Sequence, residues 1–138
     1  MKTAPDRWGQ YADPGTAELF AGDALLHTDW APDNVLISGG RARIIDWAWP
    51  TRGAAWIDPF MWALRLMQAG CTVEDAVEWA RQLRSWRDAD PAAVLAFAVA
   101  NTRTWREIAA TDSQPWKAAM EDHAVRLDAY LRAALTTV

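Results

Sequence analysis

The stretch from residue 24 to residue 49 reads ALLHTDWAPDNVLISGGRARIIDWAW, and the architecture of the chain is built around it. It contains two short apolar runs, residues 24–27 and 35–38, joined by a polar segment that includes Pro32. Short apolar runs bounded by turn residues are typical of strands. The sequence therefore predicts two short strands with a loop between them.

A pair of glycines, Gly39 and Gly40, follows the second run and precedes the residues Arg-Ala-Arg-Ile-Ile. A two-residue hairpin turn requires positive φ angles, which glycine adopts without strain. The pair therefore predicts a β-hairpin over residues 35–45. Because the two ends of a hairpin lie side by side, we expect Asn34 to lie next to Asp46.

Helical patterns occupy the chain after the hairpin, in a body expected over residues 54–136. The first pattern is apolar nearly all round, as in a buried helix, and the last carries one continuous apolar stripe. The patterns cover Trp56 to Ala69, Val73 to about Asp88, Pro91 to about Ala110, and Trp116 to Leu135. Asp90 before Pro91 is an N-cap signal for the third helix. The expected fold class is α+β and mostly helical, with one small sheet followed by about four helices.

Proline and glycine punctuate residues 1–23, so we expect an irregular segment with only short local structure there. A length of 138 residues favours a single domain. That domain is expected over residues 24–138, with the loop and hairpin in residues 24–49 and the helical body after it.

Composition excludes several classes of function. The chain has 51% hydrophobic and 23% charged residues, as in ordinary soluble globular proteins. A net charge of -4 without any Lys/Arg run argues against nucleic-acid binding and favours a mildly cationic partner over an anionic one. No apolar run approaches the roughly 20 residues needed to cross a bilayer, and no secretory signal is recognised. We therefore expect a cytoplasmic protein without membrane contact.

The chain has too few cysteines and histidines for a disulfide or a zinc site. Cys71 is the only cysteine, so a disulfide within the chain is excluded, and without a CxxC motif this thiol is expected to be inert. Two histidines without HExxH spacing leave too few ligands for a zinc hydrolase. His123 is expected to be structural or exposed.

The loop between the two strands carries the informative spacing. Asp29 follows His27 by two residues and Asn34 follows it by seven, as in the kinase catalytic loop H-R-D-L-x-x-x-N. In that loop the aspartate accepts the proton of the substrate hydroxyl and the asparagine binds magnesium. Asp and Asn also occur in loops for backbone hydrogen bonding, but three matches, with Asp46 as the third, favour the functional interpretation.

The segment from His27 to about Leu66 resembles the aminoglycoside phosphotransferase family, because the loop is followed by IIDW rather than by DFG. The resemblance implies a kinase-like C-terminal lobe that phosphorylates a hydroxyl of a small molecule with ATP and Mg²⁺. It implies Asp29 as catalytic base, and Asn34 and Asp46 as metal ligands. It also implies that an aspartate at the start of a central buried helix, here Asp58 in AAWIDPFMWAL, ties down the loop.

Other side chains near the loop are expected to have supporting roles. His27 ends an apolar strand, so we expect it to pack under the loop rather than to act as a base. Most of the ten tryptophans fall at positions that a helical core uses. Three others flank Asp29 and Asp46: Trp30, Trp47 and Trp49. Two roles stay open for them, packing in the core and stacking on a sugar or base of a ligand.

The resemblance also implies an N-terminal lobe with a glycine-bearing loop over the phosphates and a lysine that pairs with them. Only 26 residues precede His27, and the two lysines, Lys2 and Lys117, lie on no apolar strand. Two interpretations stay open. The chain is the C-terminal lobe of an ATP-dependent phosphotransferase, or it is a truncated, non-catalytic remnant that acts as a binding or assembly module. The missing lysine favours the second for this chain alone.

A lobe of this kind would leave one apolar face uncovered. Two short strands cannot bury both of their sides, so the face around four apolar residues is expected to be partly exposed. These residues are Leu25, Leu36, Ile44 and Trp47. Self-association, or a separate N-terminal lobe, is the expected partner of this face.

Overall fold

A computed structural model describes residues 1–136, which form a mostly helical α+β fold. The strands are β1 (Lys2–Thr3), β2 (Ala24–Leu26), β3 (Val35–Ser38), β4 (Arg41–Ile44) and β5 (Thr51–Gly53). The helices are α1 (Ala4–Trp8), α2 (Ile57–Gln68), α3 (Val73–Arg81), α4 (Arg84–Arg87), α5 (Pro91–Thr111) and α6 (Pro115–Thr136). The predicted fold class is confirmed at this level.

The predicted hairpin is present as the antiparallel pair β3 and β4. Val35 pairs with Ile44, and Ser38 pairs with Arg41 across a two-residue turn. Gly39 and Gly40 have φ angles of 57° and 75°. These positive values are those of the hairpin turn that the glycine pair predicts.

A second sheet joins the predicted strand β2 to two strands that the sequence does not predict. Residues 51–53 form β5, which pairs antiparallel with β2 and parallel with β1, in the order β1-β5-β2. The residues Thr-Arg-Gly carry no apolar alternation, so only their tertiary partners make them a strand. Gly53 is required here because a Cβ would lie 2.7 Å from the Cβ of Ala4. The prediction of one small sheet followed only by helices was wrong at this point.

The helix predicted from Val73 to about Asp88 is broken in two. Leu83 lies between α3 and α4 with extended backbone, φ -88° and ψ 130°. The break lets Trp86 turn into the core, where its ring lies 6.4 Å from that of Phe60. Arg87 donates to the carbonyl oxygens of Arg81 and Gln82, which satisfies acceptors at the end of α3.

The first 23 residues contain short elements, as expected, but they pack into the main core. Trp8 and Phe20 are buried, and both rings meet Phe97 of α5 edge-on, at 5.0 and 5.3 Å. Trp56 and Phe60 contact the same ring, at 5.6 and 5.0 Å. Edge-to-face pairs of this kind add to the stabilisation from burial. Residues 1–23 therefore share one aromatic core with the helical body.

The two long helices pack together and close the core on one side, and α6 also contacts α2. Asp90 caps α5 by accepting a hydrogen bond from the backbone N–H of Ala92, as its sequence predicts. Within residues 1–136, neither α5 nor α6, nor any shorter helix, combines the length and the apolar character needed to cross a membrane.

The hairpin leaves large apolar side chains in solvent. Leu36 is 49% exposed and Ile37, which points to the opposite face, is 78% exposed. Leu25 and Trp47 are exposed as well, and Ile44 is half-buried. The predicted exposure is confirmed, but these residues do not share one face, because Ile44 pairs with Val35 and Leu36 pairs with Arg43.

Self-association through the exposed apolar side chains of the hairpin is the expected consequence, because exposed apolar patches mark interaction surfaces. Sedimentation at micromolar concentration should show dimers or larger species, and Ile37→Lys should shift them toward monomer. Arg41→Lys, on the same hairpin, is the matched control and should not. A clean monomer that binds no hydrophobic dye would contradict this prediction.

Candidate active site

Asp58, in the first turn of α2, anchors the loop that carries Asp29. Its carboxylate accepts hydrogen bonds from the backbone N–H groups of His27, at 2.8 Å, and Thr28, at 2.9 Å. Hydrogen bonds to a charged acceptor are stronger than neutral ones. The bonds that the sequence predicts for this acid are therefore present, and they fix the loop to the start of the central helix.

Thr28 is held in an unfavourable conformation immediately before Asp29. Its φ angle is 70°, which is rare for a β-branched residue and costs about 1–3 kcal/mol. Its side-chain oxygen accepts a hydrogen bond from Arg7, at 2.5 Å, and lies 3.2 Å from the carbonyl oxygen of Trp49. These contacts and Asp58 offset the strain and set the direction of the next residue.

His27 is buried and links the loop to the segment before Asp46. Its Nε2 lies 2.8 Å from the carbonyl oxygen of Ile45, which can only accept, so Nε2 carries the proton. Its Nδ1 accepts a hydrogen bond from the backbone N–H of Asp29 at 3.2 Å. Both ring nitrogens are thus engaged, and neither is available to take a proton from a substrate.

Asn34 is buried and oriented by the loop. Its Nδ2 donates to the carbonyl oxygen of Asp29 at 3.0 Å, which turns its Oδ1 the opposite way. Its own carbonyl oxygen accepts from the N–H of Ile45 at 2.9 Å, so the hairpin pairing continues to the residue before Asp46. Asp46 is exposed and has a φ angle of 58°, a conformation that aspartate tolerates.

The donor set decides which metal these residues could hold. Among residues 1–136, no group of three or more His, Cys, Asp or Glu side chains is arranged to bind a metal ion. One amide oxygen from Asn34 and one carboxylate from Asp46 are hard ligands, but too few for a metal held by protein alone. They fit magnesium that is also coordinated by phosphate oxygens and water.

Asp29 is about one third exposed and forms an ion pair with Arg65, 3.3 Å between Oδ1 and Nη2. Arg65 lies on α2 seven residues after Asp58, which places both on the same face of the helix. Burial lowers the pKa of Arg65, and the charge of Asp29 opposes this effect. One helix therefore holds both the backbone of the loop and the carboxylate that the loop presents.

Two adjoining clefts open beside this carboxylate, with volumes of about 510 and 460 Å³. Both are lined by Asp29, Arg65 and Trp116. The second, here called the tryptophan cleft, lies within the size range of small-molecule sites. Its further lining includes Arg7, Trp8, Trp49, Asn101, Trp105 and Lys117.

The three tryptophans expected near the site are placed differently. Trp49 is 61% exposed and lines the tryptophan cleft, with the Arg7 guanidinium 5.8 Å from its ring. Trp30 and Trp47 contact the His27 ring, at 5.6 and 4.7 Å between ring centroids. The geometry therefore favours a stacking role for Trp49 and a supporting role for Trp30 and Trp47.

Four polar residues beside Asp29 were not found from the sequence. Arg65 had a signal, since it interrupts an apolar helix two turns after Asp58. Asn101 had a weaker one, as the amide that ends the apolar run of α5. Arg7 and Lys117 come from opposite ends of the chain, and nothing in the local pattern predicts that they meet.

Comparison with known proteins assigns this chain to no family. No protein-family model matches the chain, and neither the curated proteins nor the solved structures include a significant match. The functional argument therefore depends on the loop, the hairpin and the clefts themselves.

Proposed function

We propose that this chain carries the base and the magnesium-binding half of a site that transfers a phosphoryl group from ATP to a hydroxyl of a small molecule. The proposed lobe is kinase-like and similar to that of aminoglycoside phosphotransferases, in keeping with a cytoplasmic location. The bonding around Asn34 is the main support. The side chain of Asn34 donates a hydrogen bond to the carbonyl oxygen of Asp29. Its backbone carbonyl oxygen accepts one from Ile45, the residue before Asp46.

The residues divide the chemistry as follows. The substrate oxygen forms a bond to the γ-phosphorus, the bond to the bridging oxygen breaks, and ADP leaves. Asp29 accepts the hydroxyl proton, while Arg65 holds the carboxylate in one orientation. Asn34 and Asp46 would hold magnesium, which neutralises phosphate charge when bound. Positioning and charge neutralisation supply most of the catalysis in such transfers.

A second function is favoured by the positions of the lysines. Lys117 forms an ion pair with Asp112, and Lys2 lies in the edge strand β1. Within residues 1–136, no hydrogen bond or ion pair joins either lysine to Asn34 or Asp46. The alternative is a non-catalytic binding or assembly module that retains the loop because its buried bonds support folding.

Nucleotide affinity tests the proposed site. The chain should bind a fluorescent ATP analogue weakly and only with Mg²⁺, and Asp46→Asn should reduce this affinity by about tenfold through loss of a charged ligand. Asp33→Asn is the matched control, because it removes the same charge beside Asn34 and should have little effect. Binding that needs no Mg²⁺, or that Asp46→Asn leaves unchanged, would contradict the proposal.

A further inference from the structure

The tryptophan cleft is lined by more positive than negative charge, although the chain as a whole is negative. Arg7 from α1, Arg65 from α2 and Lys117 from α6 all line it, against the single carboxylate of Asp29. Asp29 neutralises Arg65, and Asp112 neutralises Lys117. One positive charge therefore remains uncompensated at the cleft.

That charge belongs to Arg7. Among residues 1–136 its guanidinium donates to three neutral acceptors, the side-chain oxygens of Thr28 and Thr51 and the carbonyl oxygen of Trp49. In the part of the chain that the structure describes, no carboxylate lies within ion-pair distance of it. Burial lowers the pKa of Arg7, and the nearby charges of Asp29 and Asp58 act in the opposite direction. A partly buried cation without a paired carboxylate attracts an anionic group.

Asn101 supplies an independent observation at the same cleft. The residue is 1% exposed, and among residues 1–136 neither its amide nitrogen nor its amide oxygen has a hydrogen-bond partner. A primary amide can donate two hydrogen bonds and accept two more, and leaving it unpaired in the interior is unfavourable. Because this amide lines a cleft, a polar ligand bound there can supply its missing hydrogen-bond partners.

The walls of the cleft are aromatic. Trp105 and Trp116 lie edge to face, with ring centroids 6.1 Å apart, and Trp8 and Trp49 also line the cleft. Indole rings of this kind provide flat, largely apolar contact area for another ring. The cleft thus combines a surface for a ring with a cationic and amide-bearing end.

We propose that the tryptophan cleft binds a flat, ring-bearing alcohol that also carries a carboxylate. The carboxylate lies toward Arg7, Lys117 and Asn101, the ring lies against the tryptophans, and the hydroxyl lies at Asp29. This inference rests on the proposed phosphotransfer for its substrate role, and it makes that substrate anionic. It replaces the cationic molecule that the overall charge of the chain favours.

Three probes with the same ring and the same hydroxymethyl group test the charge preference. They are 4-(hydroxymethyl)benzoate, 4-methylbenzyl alcohol and 4-(aminomethyl)benzyl alcohol, titrated against the full chain without nucleotide and followed by NMR. We expect 4-(hydroxymethyl)benzoate to bind about tenfold more tightly than the ammonium compound, because one charge-assisted hydrogen bond accounts for a difference of that size. The side-chain amide resonances of Asn101 should shift with the carboxylate.

Two variants separate binding from folding. Arg7→Met should remove most of the carboxylate preference, whereas Arg132→Met, which removes an exposed positive charge on α6, should leave it intact. Asn101→Leu replaces an unpaired amide by an apolar side chain of similar size, so the melting temperature of the free chain should be maintained or raised. The affinity for 4-(hydroxymethyl)benzoate should nevertheless fall several-fold.

The outcomes distinguish this inference from the proposed function. Equal or tighter binding of the ammonium compound, no binding of the carboxylate at millimolar concentration, or full affinity in Asn101→Leu overturns the inference. A carboxylate preference supports it even if Asp46→Asn leaves Mg-nucleotide binding unchanged, and in that case the proposed phosphotransfer alone fails.

Discussion

Replacement of Asp58 by alanine is expected to lower the free energy of unfolding by about 3 kcal/mol, because two buried backbone N–H groups lose a charged acceptor. The groups belong to His27 and Thr28, which are 1% and 4% exposed, so water does not readily replace the carboxylate. Thr28 also loses a contact that holds its strained backbone. Urea and thermal unfolding should show a melting temperature lower by roughly 10 °C.

Glu78→Ala is the matched control for this change. Glu78 is an exposed acid on α3 that pairs with Arg81 at the surface, and such pairs contribute less than about 1 kcal/mol. Asp58→Asn should fall between the two, because an amide oxygen accepts one of the bonds while its NH₂ group faces the other donor. An Asp58→Ala variant that melts at the wild-type temperature would show that the loop does not depend on this carboxylate.

Phosphoryl transfer should be undetectable for these 138 residues alone, despite the presence of Asp29, Asn34 and Asp46. Magnesium held by two protein oxygens can act only as a bridge to the phosphates, and within residues 1–136 no hydrogen bond or ion pair joins either lysine to these oxygens. Each preorganised donor that is lost costs about a hundredfold to a thousandfold in rate, and such losses compound. The assay uses labelled ATP, Mg²⁺, a panel of aminoglycosides and 4-(hydroxymethyl)benzoate.

Turnover in that assay would change the interpretation, provided that the loop causes it. Asp29→Asn and Asp46→Asn should then abolish the activity, while Asp33→Asn should retain it. Such a result would mean that the chain, alone or as an oligomer, completes the phosphate-binding part of the site. The non-catalytic alternative would then be wrong.

Local signals in the sequence predicted the parts of the fold that are stabilised locally. Gly39 and Gly40 specify their own turn, and Asp90 caps the helix that directly follows it. By contrast, β5 exists because β1 and β2 flank it, and the break at Leu83 exists because Trp86 packs against Phe60. These features depend on contacts between segments distant in sequence, and the spacing of apolar residues along the chain does not predict such contacts.

The same distinction applies to the candidate site. The loop and its proposed metal ligands could be recognised from spacing, and the role of Asp58 from the family resemblance, since all lie within about 30 residues. The tryptophan cleft could not, because α1, α2, α5 and α6 all contribute to it. Arg7 and Lys117 are separated by most of the chain, and only the packed core brings them to one cavity.

Paramagnetic broadening by Mn²⁺ in the presence of millimolar ATP tests the central claim most directly, because Mn²⁺ takes the same hard oxygen ligands as Mg²⁺ and broadens the resonances of nearby amides. The backbone amides of Asn34 and Asp46 should broaden first, the effect should require ATP, and Asp46→Asn should remove it. Broadening confined to the acidic surface of α3, or the same pattern in Asp46→Asn, would contradict a magnesium–nucleotide site at the end of the hairpin.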